Sequence, residues 1–228
     1  MIFLLDTTVN PTTIGFYNGD KFTTKTIESN PENNRKLIGI IRSFLQATSH
    51  NLQAISAVGV VNGPGTFTGV RTGVTIANAI SYVLNVPIYS VDTLTSQISV
   101  GTDNHLSKKK AQNFVPLQDI NNVISILSAS NSEVFFARFS KGKMVGKIEI
   151  VDVVNNLPNR IKKEDLIVGD LQEKHCEIWG SNEFIPVTSK ERIECLLQMI
   201  INKKLKPVKQ VLPLYIKKPN ITQAKKKK

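Results

Sequence analysis

The stretch Asn62-Gly63-Pro64-Gly65-Thr66-Phe67-Thr68-Gly69-Val70-Arg71-Thr72-Gly73 constrains the fold more than any other part of this chain. A continuous apolar run, Ile55 to Val61, precedes it, and an apolar helical pattern follows to about Leu84. Three glycines in seven residues imply a sharply shaped turn, since glycine reaches backbone conformations that cost other residues energy. The hydroxyls of Thr66 and Thr68 can cap the helix that follows, and its free N–H groups make a candidate anion site. A well-capped strand-to-helix turn and a phosphate-holding turn both fit the spacing. The segment is not a Walker-type loop, because no Gly-Lys-Ser/Thr follows, and its third glycine is misplaced for a dinucleotide fingerprint.

Around this turn the pattern reads strand, strand, strand, helix, strand, helix, strand. Ile2–Thr8, Thr12–Tyr17 and Lys21–Ile27 are the first three strands, with the turn Asn18-Gly19-Asp20 joining the last two as a hairpin. Asn30-Pro31-Glu32 supplies a cap, a proline suited to the first turn and a favourable acid. The helix it opens is expected over Pro31–Ala47, with Leu37, Ile38, Ile41, Phe44 and Leu45 as its apolar face. Ile55–Val61 suits the interior of a parallel sheet, and Pro87–Val91 is the next strand, with Asp92 or Thr93 capping a helix near Leu94–Val100. Three antiparallel strands followed by helical crossovers are the pattern of a ribonuclease-H-like α/β domain.

Gly101–Gln118 is polar and reads as a linker or loop. Beyond it, Val123–Ala129, Glu133–Phe139 and Met144–Val151 form a second strand set, a half-echo of the first, with the turn Lys141-Gly142-Lys143. Leu166–Gly169 is a short strand, Glu191–Asn202 a helix and Val211–Ile216 a closing extended segment. The expected division is a first lobe over 1–104 and a smaller second lobe over 105–228.

The net charge of +11 resembles a nucleic-acid footprint until it is located. Ten lysines and no acid lie between Lys203 and Lys228, which leaves 19 basic against 18 acidic residues in the rest. Lys225, Lys226, Lys227 and Lys228 are therefore candidate contacts to nucleic-acid phosphates or to acidic partners, and a purely solvating tail fits equally. No run approaches the roughly 20 apolar residues of a membrane span. The start, Met1-Ile2-Phe3-Leu4-Leu5-Asp6, lacks a basic leader, and the two cysteines, Cys176 and Cys195, lack metal-like spacing. A reduced, cytoplasmic protein is the expectation.

Several segments together resemble the TsaB family. They are Phe3-Leu4-Leu5-Asp6-Thr7-Thr8, the run Gly63 to Gly73, Val91-Asp92-Thr93-Leu94, Glu133-Val134-Phe135 and Pro213-Leu214-Tyr215-Ile216. They occur in order over nearly the whole length, and the glycine-rich run is the most specific. The resemblance implies two ribonuclease-H-like lobes of the actin/heat-shock-chaperone/sugar-kinase (ASKHA) type. It implies a non-catalytic dimerisation subunit that pairs with TsaD, together with the ATPase TsaE, to make threonylcarbamoyladenosine beside the tRNA anticodon. It further implies a homodimer when the chain is alone, tRNA contact through the complex, no cofactor of its own, and ATP only in the assembly. Two departures stand out: Pro31-Glu32-Asn33-Asn34 replaces a His-Ser-Glu-like helix start, and Ser128 to Glu133 lacks the family's acid, arginine and glycine.

His50, His105 and His175 are isolated, so no metal pair or catalytic triad is suggested. Asp6, Thr7, Thr8, Gly63, Gly65 and Thr66 are the candidate nucleotide or phosphate residues, against a structural role for Asp6. Gly69, Gly73 and Ala77, spaced four apart, make a stripe of small residues flanked by Val70, Val74 and Val83. The helix is apolar nearly all round, which favours a partner helix on that stripe over packing inside the chain. Leu37, Ile41, Phe44, Gly69, Val70, Arg71, Gly73, Val74 and Ala77 are accordingly the expected interface. The rival readings are an autonomous ATPase or phosphotransferase using Asp6, and a glycoprotease-like peptidase.

Overall fold

The computed structural model describes residues 1–98, 121–171, 182 and 184–216. The Gly101–Gln118 linker, His105, His175, Cys176 and the Lys225–Lys228 tail lie outside these residues. Two five-stranded sheets carry the fold. The first contains β1 (Ile2–Asp6), β2 (Thr12–Tyr17), β3 (Phe22–Ile27), β4 (Ala57–Val61) and β5 (Ile88–Val91), in the order β3-β2-β1-β4-β5. The second contains β6 (Val123–Ser128), β7 (Glu133–Ser140), β8 (Lys143–Asp152), β9 (Leu166–Asp170) and β10 (Phe184–Pro186), ordered β10-β9-β6-β7-β8. In each, the first three strands are antiparallel, the fourth pairs in parallel with the first, and the fifth pairs in parallel with the fourth. The echo expected from the sequence is therefore a repeat of topology: two ribonuclease-H-like α/β sheets.

Helices α1 (Pro31–Ala47), α2 (Phe67–Leu84), α3 (Thr93–Ile98) and α4 (Ser189–Ile201) complete the layers. Strand alternation assigns each face of the first sheet. Phe3, Leu5, Ile14, Phe16, Val58 and Val60 point to one side, into a core with Leu37, Ile41, Phe44 and Leu45 of α1 and Val74 and Ala77 of α2. Leu4 and Val61 point to the other, toward Ile193, Leu196 and Leu197 of α4. In the second sheet Val123, Leu127, Phe135, Ala137 and Phe139 share a core with Leu94 and Ile98 of α3. The opposite face, with Ile124, Ile126 and Phe136, is closed by Val153 and Leu157 of the segment after β8. Helices α3 and α4 touch each other, so the inner faces of the two sheets are joined through them.

The start of α1 follows its sequence. The Asn30 side chain accepts from Asn33 N at 2.8 Å, and Pro31 opens the helix. Asp92 caps α3 by accepting from Thr95 N at 2.9 Å. A capping box that periodicity did not disclose starts α4: Thr188 Oγ1 accepts from Glu191 N, and the Glu191 carboxylate accepts from Thr188 N. One expectation needs correction. Ile38, counted on the apolar face of α1, is 70% exposed, because the buried stripe runs through Leu37, Ile41, Phe44 and Leu45. Strand β10 was not anticipated, being only three residues long. Val211–Ile216, expected as a closing extended segment, forms no strand. It lies along α2, with Asn78 donating to Val211 O and accepting from Val211 N, both at 2.9 Å.

Candidate functional site

The exit of β1 and the start of α2 meet as the glycines allow. Gly63 has φ +110°, a conformation that suits glycine. A Cβ on Gly69 would stand 2.0 Å from Thr7 O, and one on Gly73 would stand 2.1 Å from Thr7 Oγ1. Those distances are far below contact, so only a bare Cα lets α2 approach the β1 loop this closely. Two hydrogen bonds fasten it: Thr7 Oγ1 donates to Gly69 O at 2.6 Å and Thr66 N donates to Thr8 O at 2.7 Å. The Thr66 hydroxyl makes no capping bond, contrary to the expectation for it.

This geometry decides where the small-residue stripe is used. Gly69 and Gly73 face Thr7, and Ala77, Val70 and Val74 are buried within the same chain. Leu37, Ile41 and Phe44 are buried as well. Within this chain the stripe and these residues seat α1 and α2 on their own sheet. Arg71 alone of the nine is exposed.

Asp6, Gly65 and Thr66 come together around Thr8, whereas Gly63 packs against Leu214 O and Val70. The backbone of Thr8 lies 2.3 Å from where a Gly65 Cβ would stand. Asp6 is fully buried at the end of β1. One carboxylate oxygen accepts from Thr8 N at 2.9 Å and Thr8 Oγ1 at 2.6 Å, and the other accepts from Arg192 Nε at 2.7 Å. Arg192, on α4 and also fully buried, donates from Nη1 to Asp170 Oδ2 at 3.3 Å and to Val187 O at 3.2 Å. A single guanidinium thus bridges carboxylates at the ends of β1 and β9, one from each sheet.

Burial raises the Asp170 carboxyl above its ordinary value, with Asp6 adding to the rise and Arg192 opposing it. Sequence reading missed this ion cluster. Its signal was an arginine on the buried stripe of a helix, in register with Ser189 and Leu196.

Between α1 and α2 lies an apolar groove of about 610 Å³. Ile38, Ile41 and Leu45 of α1 line it with Ile76, Ile80 and Val83 of α2, and Arg42, Gln46 and His50 supply polar groups. Ile38 is 70% and Val83 73% exposed, and Tyr82 beside it is 88% exposed. Large apolar side chains gathered at this exposure mark an interaction surface. Among the described residues no helix is long and apolar enough to cross a membrane, and no group of three His, Cys, Asp or Glu could hold a metal ion.

Comparison with known proteins agrees with this architecture. The family model described as "TsaD: tRNA N6-adenosine threonylcarbamoyltransferase" matches residues 29–157, more than half of the chain. The tRNA threonylcarbamoyladenosine biosynthesis protein TsaB of Escherichia coli is 21% identical over 200 residues, covering 82% of this chain and 81% of that protein. Its counterpart in Buchnera aphidicola of Schizaphis graminum is 20% identical over 177 residues, covering 75% and 78%. The structure of YeaZ from Pseudomonas aeruginosa superimposes with a TM-score of 0.66 at 17% identity, over 94% of this chain and 98% of that one. With two repeated sheets, a glycine-seated α2 and these relatives, the chain belongs to the tRNA N6-adenosine threonylcarbamoyltransferase family, on its TsaB (YeaZ-like) branch, and so to tRNA threonylcarbamoyladenosine biosynthesis.

Proposed function

We propose that this chain is the non-catalytic pairing subunit of a tRNA threonylcarbamoyl-transferring assembly, and that it docks a TsaD-like subunit on the α1–α2 groove. The observation that carries the reading is the exposed apolar surface of Ile38, Tyr82 and Val83 beside a groove of about 610 Å³. A partner's helices would cover that surface, and a second copy of the chain would cover it when the partner is absent. The residues involved are the outward ones of α1 and α2, in place of the buried stripe. Arg71 stands away from this groove. In this reading the TsaD-like subunit carries the transfer chemistry, a TsaE-like ATPase joins the assembly, and the whole works in the cytoplasm. The division into lobes at 104/105 is kept as part of the proposal, with α4 returning from the second to cover the first.

The state of Asp6 supports a subunit without a catalytic centre of its own. Its carboxylate is fully engaged by Thr8 and Arg192. An autonomous phosphotransferase would have to release Arg192 before Asp6 could position a metal-bound nucleotide.

The test is co-elution of purified chain with a TsaD-like subunit at micromolar concentration, for wild type and for Ile38→Glu and Val83→Glu. Both positions are exposed, so the fold should keep its stability to within about 0.5 kcal/mol. A charge buried at the interface should weaken pairing at least tenfold. Separate elution of the wild type, or unchanged pairing in both variants, overturns the reading.

A further inference from the structure

The wall of the α1–α2 groove carries no acid. Arg42 and His50 are its titratable side chains, and no carboxylate lines it. The one-sidedness extends along the chain: from Asn33 to Val91 there is no acidic residue, while Arg35, Lys36, Arg42 and Arg71 lie in that stretch. All of α2, and all of α1 beyond Glu32, fall inside it. Both helices that frame the groove therefore present a positive face from a chain body whose acids and bases nearly balance.

Arg42 is exposed on α1, one turn from Ile38 and one turn from Gln46, on the stripe that lines the groove. The stem of such a side chain covers apolar surface while its charged head stays in water. Among the described residues no ion pair or hydrogen bond engages this guanidinium. Arg138, Arg160 and Arg192 are each tied to a carboxylate, and Glu32, the acid on the first turn of α1, is held by Lys36 at 2.6 Å. Gly39 neighbours Arg42 on the helix surface, and a Cβ there would meet nothing within 4 Å. Glycine weakens a helix interior, and no packing among the described residues calls for it here. It leaves room beside Arg42 for a backbone that comes from outside.

We propose that the groove takes an apolar helix that carries a carboxylate opposite Arg42, and that Arg42 thereby selects a different subunit over a second copy of this chain. The inference rests on the function proposed above and deepens it by naming what the partner must carry. Apolar anchors of a helix laid in a groove supply affinity, and charges at the rim decide between partners. A planar guanidinium takes a carboxylate through two parallel N–H···O bonds. A second copy would bring the same acid-free stretch to the contact, so Arg42 would meet cations there and no free carboxylate.

The experiment measures two equilibria by analytical ultracentrifugation, at about 0.05 M and about 0.5 M salt. One is pairing with the TsaD-like subunit of the same organism, and the other is self-pairing of the chain. For wild type, the higher salt should weaken the mixed pair about tenfold. Self-pairing should be weaker than mixed pairing and should not weaken further with salt. At low salt Arg42→Glu should weaken the mixed pair by about tenfold or more, by setting like charges against each other. Arg42→Gln should weaken it less and remove most of its salt dependence. Neither variant should weaken self-pairing, and both should unfold at the wild-type midpoint, because the position is exposed. Gly39→Leu should raise the unfolding midpoint, leucine being the better helix former, and should weaken the mixed pair by blocking the approach. Mixed pairing that ignores salt and both Arg42 variants overturns the inference and leaves the proposed function standing. Self-pairing that falls as far as mixed pairing in Arg42→Glu overturns it too, since Arg42 would then be a contact without selectivity. A Gly39→Leu chain that pairs as tightly as wild type overturns the helical occupant. Wild type that does not pair with the TsaD-like subunit sinks the proposed function and this inference with it.

Discussion

Replacing Arg192 with methionine tests whether the buried ion cluster is a structural joint. Methionine keeps the unbranched apolar stem, though it is shorter, and removes the only cation bonded to Asp6 among the described residues. Asp6 is fully buried, so its charge would be left without compensation, a change that costs about 3–5 kcal/mol. The two Thr8 donors remain, which points to the lower end, about 3 kcal/mol. With a urea dependence of about 2–3 kcal/mol per molar, the midpoint should fall by about 1–1.5 M. The double variant Asp6→Asn with Arg192→Met should recover at least half of that loss. Asparagine still accepts from Thr8 and needs no cation. Urea unfolding followed by far-UV circular dichroism reads both. A single variant within about 0.3 M of wild type, or a double variant no better than the single, would refute the argument.

Gly73→Ala should destabilise the chain by about 1–3 kcal/mol, because its methyl would meet Thr7 Oγ1. Adding Thr7→Ala removes the obstructing oxygen, so the pair should lose less than the sum of the singles by thermal melting, and simple additivity would contradict the close approach. Asp92→Asn tests the cap of α3. Burial raises the Asp92 carboxyl, with the Thr95 bonds opposing. A carboxyl raised in the fold contributes fully below its unfolded value near 4, and that contribution is lost as pH rises through the folded value. The asparagine variant should therefore gain on wild type at neutral pH, and its advantage should shrink on acidification; an advantage independent of pH would sink the assignment.

Local chemistry was what the sequence made legible. Asn30-Pro31-Glu32, the Asn18-Gly19 hairpin and the apolar runs that became β4 and β6 each read correctly because a few neighbouring residues determine them. The glycine-rich run announced a close approach but could not say to what. Its partner, Thr7, lies far away along the chain, and burial of Gly73 against it was indistinguishable from burial against another molecule. Ile38 and Leu37 are adjacent apolar residues on one helix, and only the position of the sheet decides which of them is covered. Arg192 was invisible for the same reason: its partners, Asp6 and Asp170, are brought to it by two different strands.

The return of α4 to the first sheet has a consequence for how the chain is made. Leu4, Gly59 and Val61 look onto that helix, so one whole side of the sheet is bare until Ile201 has been synthesised. About 100 residues separate the end of β5 from the start of α4, which is about 5–20 s of translation at ordinary ribosome speeds. Throughout that interval the emerging chain exposes an apolar sheet face. The natural clients of a ribosome-associated chaperone have this property, and slowing elongation after Val91 should raise the yield of insoluble chain.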